Sequence, residues 1–189
     1  MPDVIQQLDE QALVWIAEHV RCAVLDPFME LYTQLGNTGM LFIALGVLML
    51  LFKPTRRAGL SALCAMLIGF IVVNLTIKPL VSRPRPWLAI EDFVSLVPEH
   101  DPNSFPSGHT NAAFAFALAV WACAPKKWMK AAAVAMAAVM GLSRLYVGVH
   151  FPSDVLVGAI VGSLCGLLGA FVVKKAWERL SRRAPKAPE

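Results

Sequence analysis

Five stretches of the chain run nearly free of charge over lengths that approach a bilayer crossing. Residues 31–52 hold 22 consecutive uncharged positions, residues 58–77 hold 20 and residues 155–173 hold 19. Residues 110–125 add 16 after His109, and residues 131–149 add 19 with Arg144 as the one charge. About 20 residues at roughly 1.5 Å rise cross a hydrocarbon core of about 30 Å, so each window predicts a membrane-spanning helix. The first 30 residues differ: Leu8, Ala12, Trp15, Ile16, Val20, Ala23 and Val24 recur at helical spacing, with Asp9, Glu10, Glu18 and Arg21 between them. That pattern predicts an amphipathic helix lying on the membrane, ending near Asp26-Pro27 because the residue before a proline avoids helical geometry. Its charges disfavour a full crossing, since each costs about 2.5 to 3.5 kcal/mol at a helix centre. The expectation is an all-α, polytopic membrane helix bundle of five transmembrane helices plus an N-terminal amphipathic surface helix. It forms a single domain over residues 1–189, with an interfacial helix at 1–28, a transmembrane bundle at 29–175 and a basic tail at 176–189.

Composition agrees with this pattern. The chain is 57% hydrophobic and 16% charged, with a mean hydropathy of +0.60, which excludes disorder, a coiled coil and a disulfide scaffold. No basic start followed by an apolar core and a small-residue cleavage site is present, so no removable signal peptide is expected. Twelve of the 17 basic residues fall in the turn around Lys53, Arg56 and Arg57, the turn around Lys126, Lys127 and Lys130, and the tail from Lys174. Cytoplasmic loops retain positive charge, so these segments and the C-terminus are placed in the cytoplasm of a multi-pass cell-membrane protein. The surface helix, the loop at residues 82–106 and the turn near His150 then face outward. The net charge of +4 does not call for nucleic acid, because the basic edge has anionic headgroups as neighbours.

Lys78, Arg83, Arg85 and Arg144 oppose that charge rule, and something anionic on the outer side explains them; snorkelling at the headgroup level explains any one alone. Pro106-Ser107-Gly108-His109 opens the third span. Its free backbone N–H groups form an anion site at a positive helix end, while a simple serine cap beside a chance histidine is the plain alternative. His150 precedes Pro152, and Asp154 lies four residues on, able to reach back to the ring. A carboxylate on one imidazole nitrogen leaves the other as a nucleophile or base; a mere helix cap is the alternative for Asp154. All three elements sit at the outer ends of spans, so a folded bundle brings them together in a constellation suited to phosphoryl transfer.

These residues resemble the type 2 phosphatidic acid phosphatase superfamily, which also includes vanadium haloperoxidases and glucose-6-phosphatase. Lys78, six residues, then Arg85-Pro86 is similar to its first motif; Pro106-Ser107-Gly108-His109 to its second; Ser143-Arg144, five residues, His150, three residues and Asp154 to its third. The size and compact loop look like the small bacterial branch that includes undecaprenyl pyrophosphate phosphatases. The resemblance implies a phosphohistidine mechanism, with His150 attacking phosphorus, Asp154 orienting it and His109 protonating the leaving oxygen and then activating water. It also implies that Lys78, Arg85, Arg144, the Ser107 hydroxyl and the Gly108 N–H hold the phosphoryl oxygens. No metal and no cofactor are required. Arg83 lies outside the signature, either reaching a second phosphate or serving snorkelling or loop packing. Many members have six spans, whereas five and a surface helix are expected here.

The expected partners are the bilayer and a membrane lipid phosphate, with no obligate protein partner. Undecaprenyl pyrophosphate is the first choice of substrate, ahead of phosphatidylglycerophosphate, phosphatidic acid and lipid A phosphate. The acids of the 87–104 loop, Glu91, Asp92, Glu99 and Asp101, are expected to shape that choice. A non-catalytic lipid-phosphate binding or transport protein is the reading from another class, which the intact His109, His150 and Asp154 argue against. Gly158, Gly162 and Gly166 and the alanine-rich 131–138 are read as packing faces, Asn74 as an interhelical hydrogen bond, and the four cysteines as free thiols.

Overall fold

The computed structural model describes residues 3–183; the end of the expected basic tail, residues 184–189, lies outside the described residues. The chain is mostly helical, with no β-strand among the described residues and a helix-free loop between residues 90 and 107. Its helices are α1 Asp3–His19, α2 Asp26–Leu35, α3 Met40–Leu51, α4 Arg56–Phe70, α5 Lys78–Val81, α6 Pro86–Ala89, α7 Gly108–Cys123, α8 Lys127–Tyr146 and α9 Pro152–Arg183.

Three of the expected crossings are single rods. Arg56–Val81, Lys127–Tyr146 and Pro152–Ser181 are long and apolar enough to span a membrane. The window at residues 31–52 is instead a bent pair, α2 and α3, meeting at 53°. The break has a backbone cause: Thr38 and Gly39 take φ of 52° and 75°, the left-handed region that a helix cannot pass through. The fifth expected crossing, α7, has 16 residues, about 24 Å at 1.5 Å per residue, so among the described residues length and apolarity alone give three candidate crossings, or four where the bent pair counts as one. α7 packs against α4, α8 and α9, and protein rather than lipid covers most of its surface.

Small side chains permit this enclosure. A Cβ on Gly158 would stand 2.7 Å from the Ser107 carbonyl oxygen, and one on Gly162 would overlap the Asn111 carbonyl oxygen and stand 3.0 Å from the Asn111 carbonyl carbon. The expected glycine face of α9 is therefore the surface on which α7 rests. Ala62, Ala65, Ala113 and Ala117 complete a core closed by Phe42 against Phe116, their centroids 5.4 Å apart. Large apolar side chains such as Leu48, Leu75, Leu156, Leu164 and Phe171 are exposed on the outside, as lipid contact requires.

The N-terminal region departs from expectation in two ways. Its helix ends at His19, and Pro27 opens α2 at its first turn, where a missing N–H costs nothing. The apolar stripe, with Leu8 and Trp15 exposed, faces away from the protein as a helix lying on the membrane requires, but Asp9 is not turned to water: with Leu13 it is buried against the bundle. After α1 the chain is pinned by Arg21, which donates to the Tyr146 and Val94 carbonyls at 2.9 and 3.0 Å. The Tyr146 hydroxyl donates to Asp26 at 2.7 Å.

Candidate active site

Four helix ends meet at one end of the bundle. α4 runs through a π-helical stretch, Ile71–Ile77, into α5; such wide turns re-aim side chains and recur at functional sites. Here Lys78 turns inward and is buried, while Leu75 and Leu80 point out. Ser107 caps α7 by accepting the Thr110 N–H at 3.4 Å and the Thr110 hydroxyl at 2.9 Å. The ends of α8 and α9 contribute Arg144 and Asp154, with His150 in the turn between them.

These ends surround a cavity of about 490 Å³ lined by Lys78, Arg85, Gly108, His109 and His150. Its far wall is apolar and includes Ile43, Leu63, Met66, Leu67 and Phe70. Ile43, Leu67 and Phe70 are also exposed on the outer surface, so the wall is continuous with the lipid-facing side of the bundle. Ser107, Arg144, Asp154 and Arg83 are predicted site residues that do not line the cavity; they stand behind it.

The cations do not sit alone. Lys78 Nζ donates to Asp101 Oδ2 at 2.6 Å. Arg144 donates to Glu99 Oε2 at 2.8 Å and to the Thr33 hydroxyl at 2.6 Å. Arg85 lies 3.6 Å from Glu99 and 3.8 Å from Asp101, and its Nε donates to the Asp101 carbonyl at 2.6 Å. Burial works to raise the Asp101 carboxyl, but the Lys78 hydrogen bond and the Asn103 N–H outweigh it and hold the group below its ordinary range.

His150 is fully enclosed, and burial first, then the charges of Arg85, Arg144 and Lys78, pushes it well below its ordinary 6.5. Its Nε2 lies 3.2 Å from Arg85 Nη1. A guanidinium can only donate, so Nε2 is the accepting nitrogen, and the proton of the neutral ring sits on Nδ1. Nδ1 faces Asp154 Oδ2 at 3.6 Å, too long for a hydrogen bond. Asp154 is occupied elsewhere, accepting the Phe151 N–H at 2.9 Å and Arg83 Nη1 at 2.6 Å. It is thus both the helix cap and the carboxylate behind the imidazole. His109 Nε2 meets Asn37 Oδ1 at 3.0 Å, a contact the α2–α3 bend creates.

Arg83 corrects the expectations of a second-phosphate contact and of snorkelling and keeps that of packing. Its guanidinium is buried and pairs with Asp154 and Asp9, so it neither snorkels nor reaches the cavity. Asn74 corrects another: it lines the cavity, close to Gly108, and its amide makes no hydrogen bond among the described residues. Thr33, Asn37 and Asp9 were not anticipated as neighbours of the site, since their partners lie more than 70 residues away in sequence. Among the described residues no group of three or more His, Cys, Asp or Glu side chains is arranged to hold a metal ion.

Fold and site define a class, a multi-pass helical membrane protein whose cation-lined, histidine-bearing cavity opens toward lipid. The chain belongs to the PAP2 superfamily, whose sequence model matches residues 58–178. It is 31% identical over 146 residues to an undecaprenyl-diphosphatase of Sulfolobus acidocaldarius, covering 77% of this chain and 69% of the relative. It is 29% identical over 197 residues to a lipid A 4'-phosphatase of Bacteroides thetaiotaomicron, covering 98% of this chain and 85% of that one. Its fold is similar to the crystal structure of a transmembrane PAP2 type phosphatidylglycerolphosphate phosphatase from Bacillus subtilis. The TM-score is 0.70 at 30% identity, covering 96% of this chain and 90% of that one.

Proposed function

We propose that the protein hydrolyses a lipid-borne phosphate or pyrophosphate through a phosphohistidine, and that undecaprenyl pyrophosphate is its substrate. The observation that carries the reading is the two-sided cavity: Lys78, Arg85, His109 and His150 at one end, and an apolar wall leading to the lipid surface at the other. Such a shape admits a headgroup while the chain stays in the bilayer. In this reading His150 Nε2 attacks phosphorus and the bond to the leaving oxygen breaks as His109 donates a proton to it. His109 then takes a proton from water, whose oxygen attacks the phosphohistidine and releases phosphate. Lys78, Arg85, Arg144, Ser107 and Gly108 balance the charge on the phosphoryl oxygens, the first two from the cavity wall and Arg144 after release from Glu99.

The site is proposed to face the extracytoplasmic side, with the C-terminus in the cytoplasm. What supports this is that Lys53, Arg56, Lys126 and Lys127 stand at the helix ends opposite the cavity. The single-domain division into residues 1–28, 29–175 and 176–189, and the inclusion of α7 as a fifth crossing, belong to the same proposal.

The test is phosphate release by purified protein in detergent with EDTA, comparing undecaprenyl pyrophosphate, phosphatidylglycerophosphate, phosphatidic acid and lipid A, with His150→Ala as control. Release that survives EDTA and vanishes in the mutant is expected, fastest on the pyrophosphate. Preference for another lipid moves the substrate assignment. Binding without release from any of them replaces the enzyme reading by a lipid-phosphate binding protein.

A further inference from the structure

A buried chain of charges runs from α1 to the back of His150. Asp9 accepts from Arg83 Nη2 at 2.7 Å, from the Ser153 N–H at 2.9 Å and from the Ser153 hydroxyl. Arg83 Nη1 donates to Asp154 Oδ1 at 2.6 Å and to the Ser153 hydroxyl at 2.8 Å. Gln6, one turn before Asp9, accepts from Arg83 Nε and Nη2 at 3.2 and 2.7 Å, and the guanidinium lies 4.1 Å over the Phe151 ring. The Arg83, Asp9 and Asp154 side chains are 4%, 6% and 0% exposed, so solvent screens neither ion pair.

Burying three charges to dock a surface helix is a poor route to stability, because desolvation offsets most of what the pairs contribute. The arrangement has another consequence. Two carboxylates share one guanidinium, which leaves a net negative charge behind an imidazole that Arg85, Arg144 and Lys78 face, cations that Glu99 and Asp101 balance in part. We propose that Asp9, acting through Arg83, is a positioning residue that keeps Asp154 aimed and negative behind His150, making α1 a working part of the active site. The inference rests on the phosphatase reading above. α1 lies wholly outside residues 58–178, which carry the family match.

The physics is directional. As His150 Nε2 attacks, the ring becomes positive, and Asp154 at 3.6 Å from Nδ1 stabilises that charge. With Asp9 neutral, Arg83 has only Asp154 as a carboxylate partner, so the pair closes and less negative charge is left for the imidazolium. The Ser153 N–H in the first turn of α9 also loses its charged acceptor.

The test compares full-length Asp9→Asn, Asp9→Glu, Arg83→Lys and Leu13→Ala with the wild type in detergent, reading kcat, KM, pH profile and Tm. Leu13 lies on the same buried face of α1, fully enclosed and outside the network, and its truncation loosens α1 without touching a charge. Asp9→Asn is expected to lower kcat about tenfold or more while KM moves by less than about twofold. Its acid limb should shift to lower pH, because the cations around His150, and His109 beside it, are then less well balanced. Asp9→Glu and Arg83→Lys should each recover part of kcat. Leu13→Ala should lower Tm and leave the pH limb in place. The inference is overturned by wild-type kcat in Asp9→Asn. It is also overturned if that variant's limb moves upward toward 6.5 as Tm drops, the mark of a loosened fold admitting water. A wild type that hydrolyses no lipid phosphate removes the phosphatase reading and this inference together; an active wild type with an indifferent Asp9→Asn removes this inference alone.

Discussion

Glu99 and Asp101 hold the cations that the proposed reaction assigns to phosphoryl oxygens, so phosphate and these carboxylates must compete. Glu99 is the sharper case. It accepts from Arg144 at 2.8 Å, lies 3.6 Å from Arg85, and its side chain is 22% exposed. A charge-assisted hydrogen bond contributes about 1.5 to 3 kcal/mol net, and the partial exposure places this contact at the lower end. Freeing both arginines in Glu99→Gln therefore strengthens phosphate binding by about 1.4 kcal/mol, a factor of about ten. The assay is competitive inhibition of lipid hydrolysis by inorganic phosphate in detergent at fixed salt. The inhibition constant should fall about tenfold, and kcat should not rise, because tighter product leaves more slowly. Asp101→Asn should have a smaller effect, since Asp101 is 40% exposed and water already weakens its hold on Lys78. If Glu99→Gln leaves the inhibition constant unchanged or raises it, Glu99 aligns the arginines rather than competing for them, and the reasoning fails.

Other outcomes follow from the same geometry. Because the folded-state His150 value lies below its ordinary 6.5, the folded protein binds fewer protons than the unfolded one. The stability this residue contributes is then present above about 6.5 and lost as pH falls toward the depressed value. Tm should drop on acidification through that window, with a slope that His150→Gln reduces, and the acid limb of kcat/KM should lie below 6.5; a limb at or above 6.5 contradicts the enclosure of the ring. Gly162→Ala drives a methyl into the Asn111 backbone and should cost about 1 to 3 kcal/mol, read as a lowered Tm in detergent; an unchanged Tm means α9 does not rest on α7 as described. Leu67→Trp, at the cavity's lipid-facing wall, should raise KM for the lipid substrate while leaving hydrolysis of a small soluble phosphate ester intact; equal loss on both would show that the wall is not the lipid route. Treatment with EDTA should leave phosphate release unchanged, and recovery of lost activity by added divalent metal would refute the metal-free scheme.

The groups proposed to carry the chemistry were legible because each is encoded locally. Lys78 and Arg85, Ser107 to His109, and His150 with Asp154 stand at short fixed spacings within single turns or helix ends, and the structure brings them to one end of the bundle. The breaks were not legible from charge alone. Residues 31–52 contain no charged side chain, so hydropathy reports one rod, while Gly36-Asn37-Thr38-Gly39 turns the backbone left-handed and delivers Asn37 to His109. Two glycines flanking Asn-Thr were the available signal. The π-helical stretch before Lys78 left none, since Ile71–Ile77 reads like any apolar helix.

The face of α1 that meets the protein was not assigned in advance, for a more general reason. In a soluble protein an apolar stripe marks the side that packs on the core and a carboxylate marks the side that meets water. A helix at a membrane surface has three neighbours, namely lipid, water and protein, and its stripe of Leu8 and Trp15 turns to the outer surface. The side left for the protein carries Gln6, Asp9 and Leu13, and Asp9 finds its counter-charge in Arg83, 74 residues away. The same constraint explains why Arg83 had no assignable partner in its own loop. Neither residue's environment follows from its neighbours in sequence. What was available in advance was the conjunction: an acid and a leucine four residues apart on an otherwise surface-bound helix, and one surplus arginine beside a phosphate motif, each without a local partner.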